Sequence, residues 1–142
     1  MSGDTTAPYD EDAIARKFIG SWRLVNVTRQ DAETGENLDV GVTYDGYIAY
    51  TDDRRVTVII TRKAPGEERY ITCYGARWTL DGDNVIHHVD IGTREKRSGT
   101  QQVRHFRFHD DRLTLTPPVS VDFVHKAPTK RSLEWRRVQR TV

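Results

Sequence analysis

Sulfur is scarce in this chain: one cysteine and one methionine in 142 residues. A lone Cys73 closes no internal disulfide, so packing and hydrogen bonding must hold the fold. Long apolar runs are missing too. None approaches the roughly 18 residues that a bilayer-crossing helix needs. The first residues, "MSGDTTAPYDEDAIARK", lack the charged-then-apolar order of a signal peptide. These absences make a cytoplasmic protein with no membrane partner the expectation. An excess of one charge sign is also lacking, since 22 Lys and Arg meet 21 Asp and Glu. A balanced chain has no global drive toward nucleic acid. The local exception is Lys126, Lys130, Arg131, Arg136, Arg137 and Arg140, opposed mainly by Glu134. Aromatics are not interleaved there as a stacking platform requires. The patch reads as a solvated strand with charged edges, and no nucleic-acid partner is expected. There is no internal repeat and no low-complexity segment.

What is present suits one domain. Hydrophobic residues make up 36%, enough for a single core at this length. Residues 1–9 read as a disordered start and 10–142 as the domain. One short helix is expected first. Asp10 can cap it, Glu11 and Asp12 suit its positive end, and Ile14 and Phe18 share a face. Gly20 can end it in the left-handed conformation.

From Ser21 the pattern turns to period two. "SWRLVNVT", "YIAYT", "RVTVIIT", "YITCYGARWTL", "NVIHHVDIG", "TQQVRHFRFH", "RLTLT" and "SLEWRRV" all alternate. Short turn signals separate several of them, such as Asp52-Asp53, Asp81-Gly82 and Asp110-Asp111. Longer loops are "QDAETGENL", "RKAPGEE", "TREKRSG" and "PPVSVDFVHKAPTK". The reading is all-β: roughly eight antiparallel strands in up-and-down order after one short N-terminal helix. Such a meander hides its two edges by closing into a barrel, and eight strands leave room for one small ligand.

Alternation predicts the inward faces. In the fourth strand they are Tyr70, Thr72, Tyr74, Ala76, Trp78 and Leu80. In the fifth, Val85, His87, Val89 and Ile91 go together. In the sixth, Gln102, Arg104, Phe106 and Phe108 do. Ile48 and Tyr50 pair on the second strand, and Leu133, Trp135 and Arg137 on the last. A bulge of one residue would reverse any of these.

Several pieces together are familiar. "GSW" at Gly20 to Trp22 follows a short helix and opens the first strand, which resembles the Gly-x-Trp signature of lipocalins. With "YDGYIAYT", "YGARWTLDGDNVIHHVD", "GTQQVRHFRF", "DRLTLTPP" and "LEWRR", the chain resembles the small intracellular lipocalin-like domain family of bacteria and fungi, in the calycin superfamily, from about residue 13 to 138. The resemblance implies a compact lipocalin-like barrel whose end is closed by Gly20, Trp22 and an arginine packed over that tryptophan. Arg137 is the candidate, because it shares a face with Trp135, and Arg136 is the alternative. The family carries no universal catalytic motif. Some members sit with natural-product biosynthesis genes, and related barrels include ligand carriers and a few cyclases or isomerases.

The chemistry-bearing residues each have a plainer reading beside the functional one. His88 and Asp90, with His105 on the next strand, have the spacing of a two-histidine, one-carboxylate metal site. Alternation turns them outward, away from any pocket, so no metal is expected. His87 faces inward, where desolvation disfavours its charged form; it is either a satisfied core histidine or an acid/base group. Arg104 faces inward beside Phe106 and Phe108. It needs a carboxylate, carbonyls or an anionic ligand. Tyr50, Tyr74 and Trp78 offer aromatic walls with polar tips, or simply core packing. Cys73 is predicted outward and inert.

The expected function is to bind a small, largely apolar or aromatic ligand inside the barrel, against Tyr50, Tyr74, Trp78, His87, Gln102 and Arg104. The alternative is a cofactor-free cyclase, isomerase or dehydratase acting on a natural-product intermediate, with His87 and Arg104 catalytic. Neither needs a cofactor, and both suit a monomer or a homodimer.

Overall fold

The computed structural model describes residues 9–93, 99–121 and 127–139. Residues 1–8 of the expected disordered start, and Lys126 and Arg140 of the basic patch, lie outside the described residues. Tyr9 is placed, and its hydroxyl donates to the Gly82 carbonyl at 3.2 Å.

Helix α1 (Glu11–Phe18) begins where Asp10 Oδ1 accepts the Ala13 N–H at 3.1 Å, satisfying one of the helix's free donors. Glu11 and Asp12 sit in its first turn, Arg16 and Lys17 in its last, each matched to the nearer dipole end. The expected left-handed stop at Gly20 does not occur. Ile19 leaves the helix extended, and Gly20 opens the next strand with a φ of +127°, a value few side chains tolerate.

Among the described residues nine strands follow: β1 (Gly20–Asp31), β2 (Thr43–Tyr50), β3 (Arg55–Lys63), β4 (Tyr70–Asp81), β5 (Asn84–Gly92), β6 (Gln101–His109), β7 (Arg112–Thr116), β8 (Ser120–Val121) and β9 (Pro128–Arg137). The sheet runs in sequence order from β1 to β7, then β9, and β9 returns to pair with β1. Eight long antiparallel strands thus close a barrel. The two-residue β8, inside the segment expected to be a loop, pairs with β9. Three Asp-rich turns join neighbouring strands. Arg54 and Asp110 take the positive φ in two of them and Gly82 in the third.

Two bulges set which side chains face inward. In β1 the register shifts between Leu24 and Asn26. Trp22 and Leu24 point in before the shift, and Val27 and Arg29 after it. In the β4–β5 pair, Ala76 faces Val89 and Gly75 faces Ile91, so Asp90 is the extra residue. Ile91 is therefore turned outward and is 70% exposed, which corrects its expected inward place.

One half of the barrel is solid. Phe18 hangs from the end of α1 into that half and is fully buried. Its ring meets Tyr50, Trp78, Phe106 and Phe108 at centroid distances of 5.1, 5.5, 4.9 and 4.8 Å. Burying it contributes about 2–3 kcal/mol before the edge-to-face contacts add theirs. Trp22 Nε1 donates to the Phe18 carbonyl at 2.9 Å. Arg137, rather than Arg136, lies over the Trp22 ring, with its guanidinium carbon 4.1 Å from the centroid. That guanidinium donates to the carbonyls of Ile19 (2.8 Å) and Lys17. It thereby covers helix carbonyls that α1 itself cannot satisfy.

Candidate functional site

The other half is hollow. A cavity of about 210 Å³ opens at the end away from α1. Val27, Ile48, Val58, Ile60, Leu115 and Leu133 form its apolar wall. These come from β1, β2, β3, β7 and β9, the inward positions left once the aromatic residues fill the closed end.

His87 stands where the two halves meet. It is 1% exposed. Its Nε2 lies 2.7 Å from the Tyr50 hydroxyl and its Nδ1 2.7 Å from the Tyr74 hydroxyl. Burial, helped by the positive charges of Arg104 and His88, pushes its pKa down to about 3. The ring is therefore neutral near pH 7, with one nitrogen donating and the other accepting. Burial pushes the Tyr50 phenol well above its ordinary pKa, so it keeps its proton. Tyr50 has no second hydrogen-bond partner among the described residues, so we assign its proton to Nε2. Nδ1–H then donates to the Tyr74 oxygen. Tyr74 in turn lines the cavity. A phenol that accepts one hydrogen bond is polarised as a donor of the next.

Gln102 and Arg104 stand beside His87 on β6, where Gln102 is the register partner of His87. Arg104 donates to Gln102 Oε1 and to the Val103 carbonyl, both at 2.9 Å. Nearer the open end the cavity is lined by Arg29, Arg62 and Arg131, with Tyr44 and Tyr70. Asp39, from the loop between β1 and β2, lies 3.7 Å from Arg29 and 3.6 Å from Arg62. Its Oδ2, the oxygen nearer Arg29, accepts the Tyr44 hydroxyl at 2.5 Å.

Of the six residues expected around a ligand, Tyr74, His87, Gln102 and Arg104 line the cavity. Tyr50 and Trp78 do not. They point inward, but at the level that Phe18 fills, and their rings pack on it. Tyr50 reaches the cavity only through His87. Trp78 turns its Nε1 to the Thr51 carbonyl at 3.3 Å and lies under the Arg54 guanidinium. Gly20, Trp22 and Arg137 meet at the closed end, where a Cβ on Gly20 would lie 2.9 Å from Arg137 Nη1.

The outward triplet has local partners. His88 Nε2 is 2.7 Å from Thr79 Oγ1, and Asp90 Oδ2 accepts from Arg55 Nη1 at 2.6 Å. His105 lies 3.3 Å from Asp83. Among the described residues, no three His, Cys, Asp or Glu groups come together as metal ligands would.

Arg29, Arg62, Arg131, Tyr44 and Asp39 were absent from the expected site. Arg62 follows Val56, Val58 and Ile60 in strict alternation, so its inward place was readable. Arg131 had been placed in a solvated patch, because the last strand was expected to start after it. Arg29 comes inside only through the bulge in β1.

A family model for the lipocalin-like domain matches residues 67–138. No curated protein matches the chain. Among solved structures, a de novo designed fluorescence-activating β-barrel is similar at 11% identity and a TM-score of 0.47, covering 87% of this chain and 96% of that one. A redesigned β-barrel bound to DFHBI is similar at 12% identity and a TM-score of 0.44, covering 87% and 97%.

Proposed function

The chain belongs to the lipocalin-like domain family, and from that premise we propose that it binds one small molecule, with an apolar or aromatic body, in the open half of the barrel. The observation that carries this reading is the division of the interior. Aromatic residues pack one half solid, while the other keeps a 210 Å³ space with an apolar wall and a few convergent polar groups. An apolar cavity of roughly 150 Å³ is enough to take up benzene, so a ligand of one or two rings fits here.

The enzymatic alternative, a cofactor-free cyclase, isomerase or dehydratase, has less support. Such chemistry wants a group that exchanges a proton near the working pH. His87 is held near 3 with both nitrogens engaged, and the Tyr50 phenol is pushed the other way. The Tyr50–His87–Tyr74 chain suits fixed hydrogen bonding better than proton exchange.

Titration with the neutral dye N-phenyl-1-naphthylamine tests the reading. Its fluorescence should rise and saturate at one dye per chain. Leu133→Trp, which fills the cavity from its wall, should abolish the rise. A folded wild-type protein that leaves the dye dark would refute the proposal.

A further inference from the structure

The chain has three tryptophans, and all three are buried. An indole carries one N–H and no acceptor, so burial leaves it a single need. Trp22 meets that need at the Phe18 carbonyl (2.9 Å) and Trp78 at the Thr51 carbonyl (3.3 Å). Trp135 does not. It is 1% exposed, and its Nε1 has no hydrogen-bond partner among the described residues. A buried donor in that state carries a free-energy cost that a bonded one is spared.

The position of Trp135 says where a partner can come from. Strand β9 turns Leu133, Trp135 and Arg137 inward in order. Leu133 belongs to the cavity wall and Arg137 to the closed end. Trp135 stands between them and lines the cavity on the side of the solid half. Its register partners are Leu24 on β1 and Leu113 on β7. Both are buried, and neither side chain offers an acceptor. An acceptor can reach this indole through the cavity it lines.

These surroundings narrow the acceptor's chemistry. A charged oxygen beside leucines would give up its hydration for one neutral donor, which is an unfavourable exchange. A hydroxyl could accept, but it would bring in a proton with a need of its own. A carbonyl oxygen accepts and brings no donor.

We propose that the ligand carries a neutral carbonyl group, as in a ketone, ester or lactone, at the inner end of its apolar body, and that Trp135 Nε1 donates to it. This rests on the reading of the barrel as a small-molecule binder, and it adds the ligand's chemical class and its direction. Trp135 is then the residue that favours a carbonyl compound over a hydrocarbon of the same shape.

Acetophenone and α-methylstyrene test the proposal, because they share one shape and the second has a methylene carbon where the first has its oxygen. Each is titrated into the full chain, read by displacement of N-phenyl-1-naphthylamine and by NMR of the three indole N–H groups. The Trp135 signal should move downfield with acetophenone and not with α-methylstyrene. The signals of Trp22 and Trp78, already bonded to backbone carbonyls, should hold their places with both. Trp135→Phe should weaken acetophenone about tenfold more than α-methylstyrene, the scale of one hydrogen bond whose partner is left buried. The NMR reading uses the wild type, so it decides the matter whether or not the variant folds. A Trp135 signal that moves alike with both compounds, equal weakening of both by Trp135→Phe, or acetophenone that leaves the dye in place would overturn the carbonyl assignment while the cavity still binds. Failure of both compounds, with the dye also dark, would bring down the binding function itself.

Discussion

His87 should make this protein acid-sensitive in a way that can be isolated. Burial between Tyr50 and Tyr74 disfavours the imidazolium only in the folded state, where the pKa falls from 6.5 to about 3. As pH drops, the unfolded chain takes up the proton first, so stability is lost through this residue below the unfolded pKa. The loss runs at about 1.4 kcal/mol per pH unit and levels off only near the folded pKa. Between about pH 6.5 and pH 4.5 it amounts to about 2 kcal/mol, because the slope builds up only below the unfolded pKa, and over the whole window to roughly 5 kcal/mol. That rivals the entire stability of many small domains. Urea unfolding of the wild type and of His87→Gln across this range gives the measurement. The pKa of His88 is also lowered, by burial and by Arg77, but it contributes equally to both proteins and cancels in the difference. The wild type should lose about 2 kcal/mol more than the variant over those two units. Parallel losses in the two proteins, or an NMR titration of His87 near the ordinary histidine value, would refute the reasoning.

Two further outcomes follow from the same geometry. Tyr50→Phe removes the donor that serves Nε2 in a fully buried site, so it should cost about 1–3 kcal/mol in urea unfolding at neutral pH. Gly20→Ala puts a methyl group against the Arg137 guanidinium at a φ of +127°, and should cost about 1–3 kcal/mol in the same assay, with fluorescence of Trp22 changing as its cover is displaced.

Alternation located the eight long strands because each has one face against the interior, and a slip of one residue would turn that whole face to water. It also separated His87 from His88 correctly. It could not see bulges, which carry no residue signature here. Asp90 reversed Ile91, and the shift after Leu24 brought Arg29 inside. Alternation also reports a face and not a height along the barrel axis. Tyr50, Tyr74 and Trp78 were equivalent by that measure. Only the insertion of Phe18 divides them into Tyr50 and Trp78 in the solid end and Tyr74 at the cavity. Asp39 was out of reach for a different reason: it lies in an irregular loop, where no period exists to place it.

The pairing of β1 with β9 has a consequence for how the molecule is made. Trp22 meets Arg137, and Leu24 meets Trp135, across nearly the whole length of the chain. Contacts between residues so far apart in sequence form slowly, because the intervening loop must close before they return any energy. The neighbouring hairpins from β2 to β7 can pair early, but the seam waits for the last strand. Until it closes, β1 and β7 are both bare edges, and Trp22 lacks the Arg137 cover it finally rests under. The joint that closes the native barrel is therefore the one that prolongs exposure to aggregation while the chain folds.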